Sequence, residues 1–218
     1  MDKQIKSRDR VTDHGEVFTA EREVKAMCDL VEQETLRIDS RFLEPACGDG
    51  NFLAEILKRK LQIVKKKYRR SSYDYERNSL LAIGSMYGVD IQKDNTLICQ
   101  DRLFSIWDKE YKAVCKKECN EQTRKAARFI LSRNIVCGDA LRLRCVNEDG
   151  EETNEPIVFS EWTFPFNDAM IHRKDYTFDE LLNSDERQLS LDEDSSNGEG
   201  VFLGEYISHY RRLGEDER

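Results

Sequence analysis

Apolar side chains recur at helical intervals in five stretches of this chain and gather into short runs in three others, and the two patterns alternate. Residues 20–34 set Val24, Met27, Leu30 and Val31 three or four positions apart, with Thr19 ahead of them as an N-cap, which predicts a first helix. Arg41 to Pro45 read as a short strand, CGDGN as a tight turn, and residues 52–67 as a helix carrying Phe52, Leu53, Ile56 and Leu57 on one face. Further helices are predicted over 74–85, 93–104 and 109–132, and further strands over Met86 to Ile91 and Asn134 to Cys137. Strands alternating with helices imply a parallel sheet with right-handed crossovers, an α/β fold.

The regularity stops after Asp139. Residues 146–155 read as an acidic loop, 156–164 as one more strand, and Thr177 with Glu180 as a short capping box. Residues 184–200 are acidic, contain Ser and Gly and lack apolar positions, which predicts a mobile linker, and the last 18 residues read as ending in a polar tail. The expected organisation is an α/β domain over 1–145 and an acidic appendage over 146–218.

Composition narrows the class. With 39% hydrophobic and 36% charged residues the chain can bury one core beneath a heavily charged surface, and no apolar run is long enough for a membrane helix or a signal peptide, which predicts a cytoplasmic protein. Seven scattered cysteines argue against a disulfide framework, and Cys115 with Cys119 lacks the second ligand pair that structural zinc requires, so no metal is expected. The net charge of −8 tells against nucleic-acid binding by the chain as a whole without a basic partner. Against that background residues 58–70 hold eight Lys or Arg, either a DNA-facing patch or a solvated helix end favoured by the helix dipole, and we take the second reading.

Chemistry concentrates in Phe42-Leu43-Glu44-Pro45-Ala46-Cys47-Gly48-Asp49-Gly50-Asn51-Phe52-Leu53. Glycines between a strand and a helix let a ligand approach backbone N–H groups at the helix start. The spacing is not the GxGxxG of dinucleotide folds, and no Lys-Ser or Lys-Thr follows as a phosphate loop requires. Nucleophilic catalysis has no support, because Cys47 lies inside the turn and His14, His172 and His209 lack any pattern of base and orienting acid.

This segment resembles the first S-adenosylmethionine motif of amino-methylating DNA methyltransferases, close to DPACGSGxFL, with Glu44 and Asp49 replacing Asp and Ser. Gly15 to Thr19 (GEVFT) resembles the GxxFTP segment of the N6-adenine class, with Ala20 in place of Pro. Gly88-Val89-Asp90-Ile91 is similar to the second motif and Gly138-Asp139-Ala140-Leu141 to the third. Asp90 lies 40 residues after Gly50, which calls for an extra helix over 68–85. The resemblance implies a Rossmann-like, doubly wound parallel sheet and a site-specific adenine-N6 methyltransferase of a restriction-modification or phage-defence system. It places the cofactor against Phe18 and Thr19 at the methionine end and around Glu44, Ala46, Cys47, Gly48, Gly50 and Phe52 at the turn. Asp90, with Ile91 beside it, is placed at the ribose, and Asp139 with Ala140 at the adenine.

The family's catalytic NPPY or DPPY loop, which holds the flipped base, is missing, and Phe159 to Asn167 offers aromatics and a Pro in the wrong order. The catalytic residues are therefore unassigned. A partner chain is expected to carry that loop and the DNA-recognition domain, docking on Ile157, Phe159, Trp162 and Phe164 unless these merely cover the sheet edge. Two alternatives stand beside this. One is a truncated or decayed methyltransferase acting as a binding module; the other is a complete methyltransferase for a small molecule or protein using Glu161 or Trp162.

Overall fold

The computed structural model describes residues 19–147, 150–166, 168–180, 182 and 202–215. GEVF of the upstream motif and the 184–200 segment lie outside them.

Two helices, α1 (Glu21–Leu30) and α2 (Glu32–Thr35), precede strand β1 (Phe42–Glu44). The predicted single helix breaks at Val31, whose φ of −115° and ψ of 31° leave the helical region, and the N-cap is Ala20 rather than Thr19, with no side-chain cap. Its buried face is Val24 and Cys28, whereas Met27, Leu30 and Val31 are exposed.

After the glycine turn come α3 (Asn51–Tyr68), α4 (Ser72–Gly84), β2 (Met86–Asp90), α5 (Lys93–Cys115), α6 (Glu121–Asn134) and β3 (Ile135–Asp139). The inserted helix expected between the first two strands is α4, capped by Ser71, whose hydroxyl accepts from the Asp74 N–H at 3.2 Å. The break expected between residues 104 and 109 does not exist. Leu103, Phe104, Trp107 and Tyr111 keep one buried stripe through it, and the chain turns only at Lys116 (φ 51°), restarting where the Asn120 side chain accepts from the Gln122 N–H.

β1, β2 and β3 are parallel neighbours in that order, with Glu44 opposite Gly88 and Asp90 opposite Cys137, so their C-terminal ends stand side by side. The sheet continues with antiparallel β4 (Arg144–Val146) and β5 (Glu152–Pro156), where an acidic loop was expected. Gly150 at φ 81° and the Asn147 side chain, accepting from the Glu151 N–H at 2.9 Å, close this hairpin. A second, antiparallel sheet holds β6 (Val158–Thr163), β7 (Met170–Thr177) and β8 (Phe202–His209), the last lying in the expected polar tail.

The α/β sheet is therefore mixed. α1 and α3 to α6 contribute to one core cluster, while the opposite faces of Tyr87 and Val89 pack on Ile157, Phe159 and Phe178. Trp162, Ile171, Tyr210 and Leu213 from beyond residue 145 enter the main core. Ile157, Phe159 and Trp162 are 0%, 0% and 5% exposed, and Phe164 packs partly buried against the main core, so these side chains are internal packing and not docking anchors.

Two buried charges fasten the layers. Glu76 accepts from the Tyr111 and Tyr210 hydroxyls and from Arg211 Nη2 at 2.7 Å, joining α4 to α5 and to the C-terminal segment. Lys60 Nζ donates to the carbonyls of Ile38 (3.2 Å) and Ser40 and to Ser85 Oγ (2.7 Å), and burial pulls its pKa down to about 7. No helix among the described residues is long and apolar enough to cross a membrane.

Candidate functional site

The turn after β1 is built by backbone bonds and held by one carboxylate. Cys47 N–H donates to the Val89 carbonyl at 2.8 Å, and Gly50 N–H to the Cys47 carbonyl at 2.8 Å. Asp90, at the end of β2, accepts from Gly48 N–H at 2.9 Å through Oδ2 and from Gln92 N–H at 2.8 Å through Oδ1, with Asn95 Nδ2 at 3.3 Å. The residues singled out at the first and second motifs, 42 positions apart, thus meet directly.

Gly48 (φ 52°) and Gly50 (φ 84°) take the left-handed conformation that glycine adopts without strain. At Gly50 the missing side chain also serves packing: a Cβ there would lie 2.5 Å from Cys99 Sγ on α5. Gly88 likewise leaves room for Cys47, whose atoms would stand 3.1 Å from an added Cβ. These glycines let the turn settle onto its own core, a reason the motif alone does not disclose. Cys47 is 6% exposed, and its hydrogen bond with Cys99 together with burial raises its thiol pKa, so it packs and does not act as a thiolate nucleophile.

Arg102 on α5 carries a contact that the sequence did not signal. Its guanidinium spans the start of α3, donating to Asp49 Oδ2 at 2.7 Å and Asn51 Oδ1 at 2.6 Å. The other Asp49 oxygen, Oδ1, is buried with no hydrogen-bond partner among the described residues. Glu44 is half-buried, and loss of water around it raises its carboxyl pKa. Ala46 is exposed on the outside of the turn, and Phe52 packs partly buried against the main core.

At the end of β3, Asp139 Oδ1 accepts from the N–H groups of Leu141 (2.9 Å) and Arg142 (3.2 Å), an Asx turn that fixes the chain direction. Ala140 packs on the second cluster. Ile91 and Leu141, directly after Asp90 and Ala140, expose 42% and 96% of their surface, so apolar side chains are held in solvent at the strand ends. Thr19 is half-buried just before α1, and Phe18 lies outside the described residues. Two of the better-formed concavities both lie away from the turn, one near Arg41, Tyr87 and Trp162 and one between Arg69 and Lys117. The turn lies at the C-terminal ends of the parallel strands, where open α/β sheets place their ligands.

Comparison with known proteins bears on these residues. Residues 19–161 match the family model described as MmeI, DNA-methyltransferase domain, a span that takes in the glycine turn and the ends of β2 and β3. No curated protein and no solved structure matches the chain. The family model covers about two thirds of the chain, and this protein therefore belongs to the family of the MmeI DNA-methyltransferase domain, a DNA methyltransferase of the restriction-modification type.

Proposed function

We propose that this chain binds S-adenosylmethionine across the ends of β1, β2 and β3 in a Rossmann-like arrangement and serves methyl transfer to adenine N6 in DNA. The observation that carries the reading is the Gly48–Asp90 clasp, because it brings the glycine turn and the acid ending β2 together at the edge where such a ligand sits. The residues fit the group. Gly48 puts no side chain in the way of the methionine portion, and the Asp49 oxygen without a partner among the described residues is an acceptor suited to an ammonium. Asp90 keeps lone-pair capacity for a ribose hydroxyl beyond the donors it already holds. The exposed side chains of Ile91 and Leu141 offer apolar contact to the purine. When bound, the cofactor supplies an electrophilic methyl group on sulfonium; this chain binds and orients it.

The catalytic loop and the target-recognition domain come, in this proposal, from a partner chain. β1 supports it: the strand lies at one edge of the sheet, and Leu43, in register with the covered Tyr87, remains 39% exposed. An edge that pairs with no second strand among the described residues, next to the glycine turn, is where an added strand would deliver a loop to the donor. The competing reading is a non-catalytic cofactor-binding module, favoured by the absence of NPPY or DPPY from the sequence. Transfer of labelled methyl to unmethylated DNA, measured for the chain alone and with the product of the adjacent gene, separates them. We expect no turnover alone and turnover in the mixture; donor binding with no transfer in either case supports the module.

A further inference from the structure

The eight basic residues over 58–70 were read as a solvated helix end, and three of them are indeed tied down: Lys60 is buried, Arg59 pairs with Asp29 and Glu55, and Lys65 with Glu110. Lys58 stands apart near α1, but the four at the C-terminal end, Lys66, Lys67, Arg69 and Arg70, meet a second basic group that is distant in sequence. α3 and α5 both start at the ligand edge of the sheet, and α4 and α6 return to the starts of β2 and β3. The turns at the far ends of these two helical hairpins come together around a concavity of about 430 Å3. Arg69 and Arg70 line it from one turn and Lys116 and Lys117 from the other, with Glu118 as the single acid of the lining. Lys66 and Lys67 are exposed on the adjoining last turn of α3. None of these six cations forms an ion pair within 4.0 Å among the described residues. Lys116 is presented by a backbone at φ 51° and ψ −113°, where a side chain is strained.

We infer that this tip is a contact surface for the phosphate backbone of duplex DNA, separate from the methyl-donor site. The 18 residues of α3 alone set the two about 27 Å apart, at 1.5 Å per residue. The inference rests on charge placement and on membership of a DNA-acting family, and does not depend on where the donor binds. Six cations that form no ion pair among the described residues, at one end of a chain of net charge −8, are a concentrated field of the sign that phosphate seeks. Exposed, flexible Lys and Arg around an open concavity suit a row of phosphates on a groove edge better than one enclosed ion. The contact carries no base reading, because phosphate contacts position a protein without specifying sequence. It gives the enzyme a second grip on DNA away from the base being methylated.

The test is fluorescence anisotropy of the full chain with a labelled duplex of unrelated sequence, without methyl donor, from low to physiological salt. The expected result is sequence-independent binding, with Kd of about 10⁻⁴–10⁻⁶ M at physiological salt. In Lys116→Glu/Lys117→Glu the affinity at low salt drops about tenfold or more and the slope of log Kd against log salt falls by about 2, roughly one unit per cation removed. Lys58→Glu/Arg212→Glu, which changes net charge equally at exposed positions elsewhere, should stay close to wild type. Equal losses in the two variants would reduce the effect to net charge and overturn the proposal. Polyglutamate binding as tightly as the duplex would point to an acidic protein partner and overturn it too. Calorimetry with S-adenosylmethionine on the same variants keeps the readings apart: donor affinity is expected to be unchanged in both, and a wild type that binds DNA but no donor would sink the proposed cofactor site alone.

Discussion

Replacing Gly50 by Ala probes how the glycine turn is held, and the structure separates two costs. A methyl at φ 84° puts an L side chain in the left-handed region, a penalty of about 1–2 kcal/mol. The same methyl would lie 2.5 Å from Cys99 Sγ, with Cys99 Cβ at 3.3 Å and Cα at 3.5 Å behind it. Cys99 is fully buried, so relief requires rotamer or backbone shifts of the kind that cost about 1–3 kcal/mol in a packed core. Gly50→Ala should therefore destabilise the chain by about 2–5 kcal/mol. In a Cys99→Ala background the sulfur is gone, leaving the backbone term and a tight contact with Cβ at 3.3 Å, so the same substitution should cost about 1–3 kcal/mol, leaving a coupling energy of about 1–2 kcal/mol. Urea unfolding of the four proteins in this cycle, followed by helical circular dichroism, gives the coupling directly. Equal costs in both backgrounds would refute the claim that Gly50 is required by the α5 side chain packed beneath the turn.

Other substitutions test other joints. Glu76→Ala removes the buried acceptor of Tyr111, Tyr210 and Arg211 and should cost about 2–4 kcal/mol in chemical denaturation, because it leaves two buried hydroxyls without their acceptor, while the partly exposed Arg211 can turn to water. Lys60 has its pKa lowered to about 7 by burial, so between about pH 7 and its unfolded value the unfolded chain binds more protons and stability rises with pH. Lys60→Met should flatten that rise, and identical pH–stability slopes in the two proteins would contradict the assignment. Arg102→Ala frees Asp49 and Asn51 at the start of α3 and should weaken S-adenosylmethionine binding about tenfold, roughly 1.4 kcal/mol by calorimetry, with a smaller effect on unfolding.

The sequence revealed features set by neighbours along the chain. The glycines at 48 and 50, the alternation through β1, β2 and β3, and the inserted helix before Met86 are local patterns, and they place the turn at the strand ends. Features fixed by distant pairing were hidden. Arg102 reaches Asp49 across 53 residues, and Lys116 meets Arg69 only because two helical hairpins end at the same height. The break expected between 104 and 109 is absent because Phe104, Trp107 and Tyr111 carry the buried stripe straight through. Acidic composition hid the β4–β5 hairpin, whose outward positions are polar because only one side of that edge is packed. Ile157, Phe159 and Trp162 suggested a docking face because nothing in the sequence showed that β6 folds onto Tyr87 and Gly84.

Asp90 joins the glycine turn to the end of β2. Its carboxylate already holds the Gly48 and Gln92 N–H groups, so Asp90→Ala would loosen the turn as well as remove a ribose acceptor; Asp90→Asn keeps the volume and one amide oxygen. The most direct measurement is a calorimetric titration of the wild type and Asp90→Asn with S-adenosylmethionine, each protein first shown to be folded. One site per chain is expected in the wild type, with affinity lowered at least about tenfold in the variant, since a hydrogen bond to a charged group is worth about 1.5–3 kcal/mol. No binding by the folded wild type at millimolar donor, or equal affinity in both proteins, would contradict the proposed cofactor site.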